Sequence, residues 1–275
     1  MSSPAVPKAH GTAARQGEGT PASLLEIRSR ENPQFKELRR LAQENGAYRR
    51  QGRIWIEGEH LCRAALARGW QPAQLVMSEQ GEAMAAALGL DASVPRLLLA
   101  DALWSQLSAL GSPAGFACVL ALPATPALDP LAATVVLDRL QDAGNVGSIL
   151  RSAGAFGFRQ VLALAGTAAL WSPKVLRAGM GAHFGLRLIE AAGEDAVATL
   201  QVPLVATSSH QGDWLHAAAP PYPCAWLMGH EGQGVSPALQ ARAGLHIRIA
   251  QPGGEESLNV AAAAAICLHA SAPRP

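Results

Sequence analysis

The sequence predicts an α/β protein whose second half is a mainly parallel sheet covered by helices, preceded by a smaller α/β unit. Three observations carry this. Beyond about residue 131, short β-rich runs alternate with helical periodicity, the order that buries a parallel sheet between helices. Glycine-containing turns follow several of those runs, at strand ends where open α/β sheets place their ligands. A stretch holding Pro123, Pro126 and Pro130 reads as a linker between the halves. The expected division is a disordered tail over 1–22, a first domain over 23–120, a linker over 121–131 and a second domain over 132–275.

Each element has a local reason. Up to Thr20 the chain is rich in Ser, Pro, Ala, Gly and Gln and cannot bury a core. Ile54 to Ile56 is an extended apolar stretch. Glu59 to Arg68 has helical periodicity, and Gly69 fits the left-handed position that ends a helix. Leu75 to Met77 and Gly115 to Leu120 read as strands. In the second half, Thr134 to Leu137, Val161 to Leu164, Leu204 to Ala206, Ala225 to Met228 and His246 to Ile249 are short apolar runs. Asn145 to Phe156 and the Ala-rich Leu258 to His269 are helical. No internal repeat is present.

Composition excludes several classes. Hydrophobic residues make up 49% of the 275 positions, enough for sizeable cores. No apolar run reaches the length of about 18 residues that suggests a membrane span. The start has no basic stretch followed by an apolar one, so no secretory signal is expected. Cys62, Cys118, Cys224 and Cys267 are scattered without a C-x-x-C pair, which argues against zinc and against a disulfide scaffold. A reduced, cytoplasmic setting follows. His210 and His216 lack an accompanying ligand cluster, so no metal is expected.

Net charge is +1, so affinity for nucleic acid must come from local charge. Arg28, Arg30, Lys36, Arg39, Arg40, Arg49, Arg50 and Arg53 crowd one segment, opposed by Glu31, Glu37 and Glu44. Lys36, Arg39 and Arg40 share a helical face. The cluster suits RNA phosphates through Arg28, Lys36, Arg39, Arg40, Arg49 and Arg50. By charge alone it equally fits a solvated helix face.

Three segments of the second half carry chemistry. Leu137 to Phe158 runs from a strand through a turn into a helix expected to begin near Asn145, with Asn145 as its N-cap. Arg151 follows six residues later; on spacing alone it reads as a surface or ion-paired arginine. Leu227 to Ser236 places Gly229, Gly232 and Gly234 around Glu231 after a strand, where backbone can approach a ligand or simply turn tightly. Ile247 to Ala270 passes from a strand through Pro252, Gly253 and Gly254 to Ser257 and Asn259 at the opening of a helix, where free N–H groups attract polar ligands. Ser257 there also fits a simple helix cap. A fourth glycine cluster, Gly179 to Gly185, lacks the G-x-G-x-x-G spacing and a preceding strand.

In this order, N-x-G-x-x-x-R, G-x-E-G-x-G and E-S-L-N-V resemble the SpoU/TrmH family of RNA 2′-O-ribose methyltransferases in the SPOUT superfamily, over about Thr134 to Ala270. The first half, with IWIEGEHLCRAAL at Ile54 to Leu66, resembles that family's substrate-binding domain, which is similar to ribosomal protein L30e. Two positions depart from the family pattern: Ala143 stands in place of a common proline, and Ile249, Ala250 and Gln251 in place of I-P-M.

The resemblance implies an α/β sheet with a C-terminal trefoil knot, S-adenosylmethionine as cofactor, a homodimer and an RNA substrate, with ribosomal RNA favoured over tRNA. It implies backbone contacts to the cofactor from Gly229, Ile249 and Leu258, and a weaker one from Thr207. It places Arg151 at the target ribose, Asn145 orienting Arg151 or the ribose, Glu231 holding the geometry by pairing with arginine, and Ser257 and Asn259 positioning the cofactor loop and substrate. A degenerate, non-catalytic RNA-binding protein is the main alternative, separable by titration with S-adenosylmethionine. A dinucleotide-dependent oxidoreductase would need a G-x-G-x-x-G turn and a downstream acid, which the sequence lacks.

Overall fold

The computed structural model describes residues 24–90, 93–108, 110–208, 210–253 and 257–273. The expected tail over 1–22 lies outside them. The first half runs β1 (Leu24–Ile27), α1 (Pro33–Gln43), α2 (Ala47–Gln51), β2 (Arg53–Glu57), α3 (Glu59–Leu66), β3 (Pro72–Met77), α4 (Glu82–Ala87), β4 (Arg96–Leu99), α5 (Asp101–Leu107) and β5 (Phe116–Ala121). Its sheet has the order β1-β4-β3-β5-β2, with β5 antiparallel to both neighbours. Asn32 caps α1 by accepting from the backbone N–H groups of Gln34 and Phe35, and Pro33 takes the first turn where no donor is needed.

The second half runs β6 (Thr134–Leu137), α6 (Ala143–Ala155), β7 (Gln160–Leu164), α7 (Pro173–Gly179), β8 (Arg187–Ala192), α8 (Glu194–Ala198), β9 (Leu204–Thr207), β10 (Asp213–Trp214), β11 (Ala225–Met228), α9 (Pro237–Arg242), β12 (Leu245–Arg248) and α10 (Val260–Ser271). Its seven strands are ordered β10-β12-β9-β11-β6-β7-β8 and every pairing is parallel. Such a sheet must be covered on both faces. Along β6, Val135 and Leu137 point into one core while Val136 points into another on the opposite face.

The larger core is continuous across both halves, from Phe35 and Ile54 to Ile149 and Trp226. The joint between the halves lies at the glycine cluster 179–185. A Cβ on Gly181 would collide with the Ala64 side chain, and one on Gly185 would press on the Arg68 guanidinium. Trp70 packs edge-on against Phe184 with centroids 5.3 Å apart, and its Nε1 donates to the Phe184 carbonyl at 3.3 Å. Glu190 of β8 accepts from the Tyr48 hydroxyl at 2.7 Å, from Arg49 at 3.1 Å and from the Leu170 backbone N–H at 2.6 Å.

Two helix starts differ from the sequence expectation. Asn145 is not the N-cap of α6; Asp142 is, accepting from the Asn145 backbone N–H at 2.7 Å. A carboxylate also suits the positive end of the helix dipole. Ser257 does not cap α10; Asn259 does, accepting from Ala261 and Ala262 at 2.9 and 3.2 Å.

Candidate active site

Moving the α6 cap to Asp142 frees the Asn145 side chain, and that side chain joins the three motif segments. Its amide donates to the Glu231 carboxylate at 3.3 Å. Its carbonyl accepts from the Asn259 amide at 2.9 Å, while the Asn259 carbonyl caps α10. One hydrogen-bonded chain therefore runs from the start of α10, through the first turn of α6, to the glycine loop after β11. The backbone N–H groups of Asp142 and Gln141 add bonds to Glu231 at 3.1 and 3.4 Å.

Burial alone would push the Glu231 carboxyl up. The backbone N–H groups of Glu231 itself and of Asp142, the Asn145 amide and the Gln141 N–H outweigh it, and the group sits below its ordinary value. Glu231 is therefore an anchored carboxylate at neutral pH. No arginine pairs with it among the described residues.

Beside this chain opens a cavity of about 550 Å³, lined by Thr207, Gly229, Glu231, Ile249, Leu258 and Asn259, together with Ser257, His210, His230 and Gln251. Its volume falls within the usual range for small-ligand sites. Thr207 ends β9 and donates its hydroxyl to the Leu227 carbonyl at 3.0 Å, so it lines the wall with its hydroxyl already committed. Gly229 is required by close approach: a Cβ there would collide with the backbone of Gly234 and Val235. The buried Gln251 Oε1 has no hydrogen-bond partner among the described residues. An orphaned acceptor in a cavity wall marks a place for a ligand donor.

The sequence reading missed the clasp beneath the glycine loop. Buried Asp138, at the end of β6, accepts from the Ser236 backbone N–H at 2.6 Å and from Arg139 Nε at 2.8 Å. Arg139 reaches on to Gln233 at 3.2 Å and holds a left-handed φ of 59°, a conformation that costs a non-glycine residue of order 1 kcal/mol. The signal was an acid–arginine pair directly after a strand, too common a pattern to read alone.

Arg151 stands apart. It is exposed on α6, does not line the cavity, and has no hydrogen-bond or ion-pair partner among the described residues. Asn145 turns to Glu231 and Asn259 and not to Arg151. Among the expected RNA-binding cations, Arg28 pairs with Glu26 at 2.6 Å, Lys36 with Glu31 at 2.6 Å, Arg49 with Glu190, and Arg50 with Glu44. Arg39 and Arg40 are exposed on α1 with no ion-pair partner among the described residues. Among those residues no group of three His, Cys, Asp or Glu side chains is placed to hold a metal ion, and no helix is long and apolar enough to cross a membrane.

The SpoU rRNA Methylase family model matches residues 132–269, the part that builds the cavity. The chain belongs to that family. It is an RNA methyltransferase, and residues 32–118 match the MRM3-like substrate binding domain. An uncharacterized tRNA/rRNA methyltransferase of Synechocystis is 30% identical over 90% of this chain and 93% of its own length. The 23S rRNA (guanosine(2553)-2′-O)-methyltransferase RlmP of Bacillus subtilis is 27% identical over 90% of this chain and 98% of its own. An AdoMet-bound rRNA methyltransferase of Sinorhizobium meliloti superposes with a TM-score of 0.77 at 29% identity, covering 90% of this chain and 97% of that one. Within the SpoU frame, the first-motif glycine has a packing role. A Cβ on Gly147 would collide with Ala178 and lie 2.8 Å from the Val175 carbonyl oxygen, so Gly147 lets α6 and α7 touch.

Proposed function

We propose that this SpoU-family chain methylates a ribose 2′-hydroxyl of ribosomal RNA in the cytoplasm, working as a homodimer. The observation that carries the reading is one cavity that collects Thr207, Gly229, Glu231, Ile249, Leu258 and Asn259, with Asn145 tying Glu231 to Asn259 by hydrogen bonds. The residues present fit S-adenosylmethionine: the Gln251 acceptor, without a partner among the described residues, can meet a donor, and the lining joins apolar Ile249 and Leu258 to polar Ser257 and Asn259. When bound, S-adenosylmethionine supplies an electrophilic methyl group on a sulfonium.

The chain's residues then align and steady the attacking oxygen. Glu231, fixed by its N–H donors, sets the shape of the glycine loop. Asn145 and Asn259 hold the first and third motifs in register, and Ser257 positions the cofactor loop. Alignment of this kind supplies about 7–11 kcal/mol in well-oriented reactions. Arg151 remains charged, since guanidinium pKa values exceed about 12. It grips the phosphate beside the target ribose and stabilises the oxygen as its proton leaves. Its exposed, unpaired state suits a residue that waits for RNA.

The dimer reading is supported by α10, where Ala262, Ile266 and Ala270 form an exposed small and apolar stripe, with Ile266 42% exposed. The knot belongs to the same proposal and concerns the segment from β12 into α10. The four free, buried cysteines suit a reducing compartment.

The test maps 2′-O-methyl positions in total RNA with and without the gene, and compares methyl transfer by the native chain and Arg151→Ala with S-adenosylmethionine binding measured in parallel. The expected result is one missing ribosomal methyl group, and lost turnover with retained cofactor affinity. Turnover near the native level in Arg151→Ala removes that residue from the mechanism.

A further inference from the structure

Of the chain's six tryptophans, Trp214 is the exposed one, at 41%; Trp55, Trp104, Trp171 and Trp226 are buried and Trp70 half-buried. It sits on β10, the edge strand of the second sheet. The guanidinium of Arg248 lies over its ring, 3.9 Å from the centroid, and His216 stacks beside it at 6.3 Å with planes 21° apart. The arrangement is built into the backbone. Arg248 Nε donates to the Gly212 carbonyl at 2.9 Å, and the Leu215 N–H donates to the Arg248 carbonyl at 2.8 Å. Gly212, at φ 103°, presses the turn against the His246 carbonyl so closely that a Cβ would collide with it. Arg248 has no ion-pair partner among the described residues.

The platform adjoins the active site without belonging to it. Ile247 and Ile249, on either side of Arg248, line the cofactor cavity, as does His210 in the loop that leads to β10; Trp214, Arg248 and His216 do not. An exposed ring clamped to an un-neutralised guanidinium meets the two needs of single-stranded RNA, a surface for a base and a charge for its phosphate.

We propose that Trp214, Arg248 and His216 form a stacking site for an unpaired base of the RNA substrate, close to the nucleotide being methylated. This rests on the RNA-methyltransferase reading. The arrangement predicts that bases near the target are splayed out of any helix.

The test uses the full chain and a fluorescein-labelled 12-nucleotide ribo-oligomer of uridine, with S-adenosylmethionine affinity measured separately. Trp214→Ala is expected to weaken RNA binding about 5- to 150-fold, as loss of one base–aromatic stack does. Trp214→Phe, which keeps a ring, recovers affinity to within about threefold on the same grounds. Arg248→Gln reduces the slope of log affinity against log salt by about 0.7, one phosphate's share for a single strand. Native tryptophan emission is quenched by the oligomer, and the quenching is absent in Trp214→Phe. The proposal is overturned if Trp214→Ala binds RNA as the native chain does, or if it loses cofactor affinity in the same proportion. It falls as well if the native chain does not bind the oligomer, a result that leaves the cofactor cavity and the methyltransferase reading standing.

Discussion

Asn145 does its work because a neighbour takes the task its sequence position suggested. Asx residues at 142 and 145 both suit a helix cap, and periodicity does not choose between them. The chain resolves it by geometry: Asp142 caps and the Asn145 side chain bonds Glu231 and Asn259. Removing that amide in Asn145→Ala leaves Glu231 short of a donor and Asn259 short of an acceptor. Bonds to charged groups contribute about 1.5–3 kcal/mol, and this one is exposed, so methyl transfer should fall at least about tenfold in single-turnover assays while the melting temperature drops by only about 3–6 °C. Glu231 adds a pH signature. Its folded value is lowered, so the contribution is complete above about pH 4.5, the ordinary value, and is lost as pH falls through the lowered one. Cofactor affinity should follow that fall in the native chain, and Glu231→Gln should lack it, which titration across pH 3 to 7 checks.

At the level of elements, the sequence announced what was apolar, compact and bounded by turns. β6 and β11 match the expectation residue for residue, because Thr134–Leu137 and Ala225–Met228 are fully buried runs. β1, β4, β8 and β10 went unread. β1 is largely exposed, β10 has two residues, and β8 carries Arg187 and Glu190, so none of these three presents a plain apolar pattern; β4, with Leu97 to Leu99, does present one and was passed over. The motif glycines were legible as a pattern but not as causes. Gly147 serves the crossing of α6 and α7, whereas Gly154 on the same helix would meet Ala182 only at 3.9 Å. Gly147→Ala should cost about 1–3 kcal/mol by overpacking. Gly154→Ala should be neutral or gain up to about 1 kcal/mol from helix propensity. Thermal melting of the two variants, side by side, checks the contrast.

For the whole molecule, the fold class and the pairing of two α/β units followed from composition and the resemblance, but the way they join did not. No periodicity foretold that Tyr48 and Arg49 would meet Glu190 more than 140 positions away. Nor did it foretell that the glycines of 179–185 would fit α3. Tyr48→Phe leaves a mostly buried carboxylate without its hydroxyl donor and should cost about 1–3 kcal/mol, read from denaturant melts. His183, in the same region, is fully buried and donates from Nε2 to the Leu170 carbonyl at 2.9 Å. Burial lowers its pKa from 6.5 to about 4. The unfolded chain therefore takes up a proton that the folded chain refuses, and stability present above pH 6.5 drains away between pH 6.5 and 4, on the order of 3 kcal/mol in all. Denaturation midpoints should slope across that window and flatten in His183→Gln.

The unbroken core beneath that joint has a practical consequence for anyone cutting the gene. Fragments severed near Pro126 would each carry a raw greasy face, Trp70 on one and Phe184 on the other. They should precipitate when made singly and recover when made together. A hybrid bearing another relative's head would succeed only if its tyrosine and tryptophan found the same seats.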